Sequence, residues 1–202
     1  MLFSLFALAA CSMPPPNAAP FEAPTENKLS FNVKQIVFVD DSANHTQIAS
    51  PSNDHFDPTL PEAVRIWARA HLNAAGGIDE GVFKLKSFYV TEEALPTKHD
   101  WMTRQQASKY VGHLEVEFEI KGDHHFALAS TEVTHSASMP EHPSGDEKQA
   151  AYRTMLDGLI ADLGKYFNEA AHAHMYDEIV TAPVLQAPRP PVMSAEPVGQ
   201  NP

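Results

Sequence analysis

Glu115, Glu117 and Glu119 place three carboxylates at alternate positions, a spacing that sets them about 7 Å apart on one face of a strand. Two carboxyl groups can cleave a glycosidic bond, one as acid and one as base or nucleophile, provided they face each other across a cleft. Three on one flat strand form a solvated face instead. Eleven histidines raise the question of metal binding. His172 and His174 lie two apart on a helix, about 200° around it, so they cannot face one ion; helical zinc pairs are four apart. His124-His125 falls in a turn. His55 sits between Asp54 and Asp57, where a hard or borderline metal could be held. None of these sets has closed ligand spacing, and they read as solvated loop histidines. His71 falls on an apolar helical stripe and reads as a half-buried core residue. Cys11, the single cysteine, ends an apolar run and precedes a proline-rich stretch. No phosphate-loop, dinucleotide, H-E-x-x-H or G-x-S-x-G motif occurs. The expectation is a protein that is not an enzyme, with no metal and no cofactor.

The chain has 202 residues and a net charge of −12. An acidic surface argues against nucleic acid and against adhesion to anionic head groups. The apolar run 1–10 is far short of the ~20 residues that span a bilayer, and it matches the apolar region of a signal peptide. No Lys or Arg precedes Cys11, which points to a start inside a longer leader. Of 17 prolines, five lie in 14–24 and six in 183–202. The expected division is a signal peptide at 1–10, Cys11 and a flexible tether at 11–28, a folded domain at 29–180, and a disordered proline-rich tail at 181–202.

The elements that must position these residues follow from periodicity. Residues 31–39 (FNVKQIVFV) read as a strand, and 40–58 as a long polar loop. Pro61 opens a helix to about residue 73 with Val64, Trp67, Ala68, His71 and Leu72 on one face; Gly76-Gly77 reads as its stop. A strand follows at 82–91. From Tyr110, the residues Gly112, Leu114, Val116, Phe118 and Ile120 alternate with polar ones, so that strand should bury one face and wet the other. A turn at 121–124 makes 125–136 its antiparallel partner. Ser144 and Glu147 form a capping box ahead of an apolar stripe through Tyr152, Met155, Leu156, Leu159, Ile160, Leu163, Tyr166, Phe167 and Ala170, ending near 175–178. Gly158 and Gly164 on that helix suggest close approach of a neighbour. The order β-α-β-β-β-α predicts an α+β two-layer sandwich, a mostly antiparallel sheet with two helices on one face.

The run closing in Leu8-Ala9-Ala10-Cys11, followed by Ser12 and Pro14-Pro15-Pro16, resembles the lipobox of bacterial lipoproteins. That resemblance implies cleavage before Cys11, acylation of its sulfur and amine, and a lipid anchor as the sole membrane attachment. Ser12 rather than Asp after the cysteine implies the outer membrane, on its periplasmic face. Two further stretches, Leu60-Pro61-Glu62-Ala63-Val64-Arg65-Ile66-Trp67-Ala68 with Leu72 and Gly76, and Met139-Pro140-Glu141 with Ser144 and the helix from Glu147, resemble an uncharacterised family of proteobacterial, mainly alphaproteobacterial, envelope lipoproteins. That family carries no established catalytic residues. The element order is also similar to small auxiliary lipoproteins of lipid-transport systems and of outer-membrane assembly machines. These likenesses imply a protein that binds or stabilises an envelope complex; Phe56 and Trp101, aromatics near loop tips, are the candidates for the contact. The alternatives are a binding module for a small apolar or lipid ligand held between sheet and helices, and a hydrolase with an unrecognised site.

Overall fold

The computed structural model describes residues 21, 28–42, 56–96, 106–123 and 125–181. The residues expected as lipobox and tail, and most of those expected as tether and as the 40–58 loop, lie outside the described residues. Four strands form one sheet in the order β1 (Leu29–Asp40), β2 (Leu72–Ala94), β3 (Gln106–Lys121) and β4 (Phe126–Pro140). Helix α1 (Leu60–His71) joins β1 to β2, which pair in parallel because a crossover helix returns the chain to the same end. The pairs β2–β3 and β3–β4 are antiparallel. Helix α2 (Gly145–His174) follows β4 and covers the sheet's inner face, and a 3-10 turn at Tyr176–Glu178 is the last of the described elements. The result is the expected two-layer α+β sandwich.

The core lies where the two periodicities meet. Along β3, Tyr110, Leu114, Val116, Phe118 and Ile120 are buried, and so are Trp67 of α1 and Met155, Leu159, Leu163 and Phe167 of α2. Trp67 and Phe167 meet edge to face with centroids 5.6 Å apart, and both rings contact Phe83 of β2. Each helix begins on a capping box. The Ser144 amide donates to the Glu147 carboxylate at 2.8 Å, and the Thr59 amide donates to Glu62 at 3.0 Å. Gly158 does admit a neighbour: a Cβ there would strike the His135 ring of β4, whose Nδ1 bonds Asp162 at 2.9 Å.

Three expectations are corrected. Gly76-Gly77 does not stop α1. The helix passes without a loop into β2 at Leu72, which is buried with the helical stripe and also pairs with Leu29. The glycines sit within β2 instead, where residues 74–79 bulge against 31–33 of β1. Gly76 has φ of 93°, and Gly77 packs directly on the Asn32 backbone. Tyr166 is not part of the buried stripe but 44% exposed, one position (100°) round the helix from Phe167, with Lys165 Nζ 4.9 Å from its ring. His71 is fully rather than half buried; it stacks on Trp67 and donates from Nδ1 to the Trp67 carbonyl at 2.9 Å.

Both ends of the described chain pack on this frame. Ile179 bridges to Phe31, and the Val180 amide donates to the Ser30 carbonyl at 2.7 Å, so the outer edge of β1 is partly paired. Phe21, inside the stretch expected as tether, packs against the core with the Arg153 guanidinium 5.0 Å from its ring.

Candidate functional site

The outer sheet face carries the carboxylates, and it is not simply wet. Glu119 is only 8% exposed. Register explains this. Lys84 of β2 lies opposite Glu117, so its stem crosses the sheet beside Glu119 while its ammonium reaches both carboxylates, at 3.1 Å and 2.5 Å. Lys121 binds the second Glu119 oxygen at 2.6 Å. Ser87 donates to Glu115 at 3.1 Å. The ladder is therefore an ion-pair network between β2 and β3, with each carboxylate engaged.

Burial pushes the Glu119 carboxyl up, but the hydrogen bonds from Lys121 and Lys84 outweigh it and hold the group down at about 2. A depressed carboxylate contributes stability above its unfolded value, and that contribution is lost as pH falls through the folded value. The expected outcome is a Glu119-dependent loss of stability between about pH 4.5 and pH 2. Glu119→Gln should lower stability at pH 7 by about 1–3 kcal/mol and flatten the acid limb. Denaturant unfolding at pH 7 and pH 3 measures this; parallel losses in both proteins would refute it.

Of the predicted site residues, only Phe56 lies among the described ones. Cys11 and Trp101 lie outside the described residues. Phe56 is half-buried and packs on the core, its ring stacked on Tyr152 at 4.2 Å and edge-on to Tyr110 at 5.6 Å. The Tyr152 hydroxyl, raised in pKa by its burial, donates to the Pro58 carbonyl at 3.2 Å. Phe56 thus clamps the end of the long loop onto α2. Of the histidines, His125 meets Glu178 at 2.8 Å and the His172 Nδ1 donates to the Asn168 carbonyl at 2.8 Å. Among the described residues, no group of three or more His, Cys, Asp or Glu side chains could hold a metal. No described helix is long and apolar enough to cross a membrane.

A groove that periodicity did not reveal opens between α1 and the β1–β2 edge. Its volume is about 350 Å³. Ile36, Phe38 and Phe83 form the floor, Ala68 of α1 and Leu72 at the start of β2 the wall, and Arg69 and Asn73 the rim. Arg65, one turn before Arg69, places its guanidinium 5.1 Å from the Phe38 ring. The available signal was Arg65 and Arg69 at positions i and i+4 beside the apolar stripe of α1.

No protein-family model and no curated protein matches the chain. Among solved structures, it is similar to rare lipoprotein B from Shewanella oneidensis, at 12% identity over 69% of this chain and 95% of that one, with a TM-score of 0.39. It is also similar to a minor lipoprotein from Acinetobacter baumannii, at 12% identity over 74% of this chain and 97% of that one, with a TM-score of 0.39.

Proposed function

We propose that this protein is a lipid-anchored, non-enzymatic lipoprotein that binds or stabilises an envelope complex from the periplasmic face of the outer membrane. The observation that carries this reading is the apolar run ending in Leu8-Ala9-Ala10-Cys11, with Ser12 and three prolines directly after it. An acylated cysteine with more than one chain anchors stably, since each buried methylene contributes about 0.8 kcal/mol. The non-enzymatic part is supported by how the carboxylates are used. Glu115, Glu117 and Glu119 are bound to Ser87, Lys84 and Lys121 across one sheet face, not opposed across a cleft as acid and base. Trp101 and the exposed edge of Phe56 are the aromatics proposed to reach the partner.

Cys11→Ala should move the protein from the membrane fraction to the soluble one and abolish co-purification of a membrane complex. Fractionation after a high-salt wash, with mass spectrometry of the parent protein for acyl chains, provides the measurement. A variant that stays with the membrane would overturn the anchor.

A further inference from the structure

We propose that the groove between α1 and the β1–β2 edge binds the charged end and adjoining methylenes of a single-chain anionic amphiphile, of which a long-chain carboxylate is the simplest member. Three observations carry this. The first is the floor. Elsewhere the inner sheet face is sealed by helices, and Phe118 and Leu114 are fully buried. Ile36 and Phe38 of β1 are only half-buried, because α1 ends at His71 and the chain turns into β2 beside them. Apolar side chains there remain available to a methylene chain.

The second observation is charge. The chain is acidic overall, at −12, yet among the described residues no acidic side chain lines the groove. Arg69 is exposed on the rim, and it makes no ion pair among the described residues. Arg65 lies over Phe38 in the field of Glu62, but the Glu62 carboxylate is already bonded to the Thr59 amide at 3.0 Å and hydroxyl at 2.8 Å. Two guanidinium groups one helical turn apart match a carboxylate, which they can bind with paired, charge-assisted hydrogen bonds. The third observation is size. About 350 Å³ is at the lower end of small-molecule sites, roughly 300–1,000 Å³, which suits one chain and not a two-chain phospholipid.

The test is a calorimetric titration of the full chain carrying Cys11→Ser with decanoate below its aggregation threshold, and with decan-1-ol as the uncharged chain of equal length. The expected result is one-to-one binding of decanoate, with decanol about tenfold weaker or more, the size of effect a charge-assisted hydrogen bond supplies. Arg69→Gln should weaken decanoate by about the same factor and leave decanol unchanged. Asn73→Trp, at an exposed rim position, should block both ligands. Absence of saturable binding, equal affinity for acid and alcohol, or binding that survives Asn73→Trp would each overturn the site. Melting temperatures of both variants within about 2 °C of the parent, as expected for surface positions, keep these outcomes separate from unfolding. The titration involves no membrane, so its failure would leave the lipid-anchor reading intact.

Discussion

Trp67→Ala should lower the melting temperature by about 6–20 °C. The side chain is 2% exposed and touches rings from three other elements or turns: Phe83 of β2, Phe167 of α2 and His71 of its own helix. Truncating a buried tryptophan costs about 3–5 kcal/mol, because the transfer free energy is lost and a cavity remains. At about 2–4 °C per kcal/mol for a domain of this size, that gives the range stated. The cavity would open against Gly164, whose missing Cβ would lie 3.4 Å from the indole nitrogen, so α2 has no side chain there to fill it. Ile66→Ala provides the control. It is the adjacent residue, is 38% exposed, and should change stability by less than about 1 kcal/mol. Thermal unfolding followed by circular dichroism measures both, and equal shifts would refute the assignment of α1's buried face.

Gly77→Ala should destabilise more than Gly76→Ala, although Gly76 is the one with positive φ. At Gly76 the cost is conformational, about 1–2 kcal/mol for holding an L-residue in the left-handed region, and its Cβ would meet open space. At Gly77 the Cβ would strike the Asn32 carbonyl carbon and oxygen. These are backbone atoms with no rotamer to yield, so the β1–β2 bulge itself must shift. Overpacking costs about 1–3 kcal/mol and occasionally more, and a clash with rigid backbone falls at the upper end. Urea unfolding of the two variants decides the order, and a larger loss at Gly76 would mean that β1 and β2 are not in contact at this bulge.

What was legible in the chain is what is local. The alternation through β3 and the Ser144–Glu147 box with its stripe are written in consecutive residues, so β3, α2 and the layer arrangement followed from them. The first half of β2 was not legible. Residues 73–81 (NAAGGIDEG) lack β-branched residues apart from Ile78, and Ile78 is 93% exposed; the segment is extended because β1 pairs with it. The burial of Glu119 likewise depends on Lys84, a residue of another strand brought beside it by register. The groove needs three elements at once: floor residues from β1 and β2 and a rim shared by α1 and the start of β2. Nothing at any single position marks Ile36 or Phe38 as different from the other strand residues of 31–39.

If Cys11 carries the proposed lipid, the contact between Phe21 and Arg153 would shorten its leash. Counted from the first strand, the stalk behind a lipidated Cys11 would comprise some 18 residues. Counted from Phe21 it comprises ten, which fully stretched reach about 35 Å. Under the proposed anchor, a domain held in this way would not tumble freely over a bilayer: it would swing on a short radius with the Arg153 side of α2 nearest the lipid. The sheet face opposite that helix, with its lysine and glutamate network, would then turn outward, toward the proposed partner.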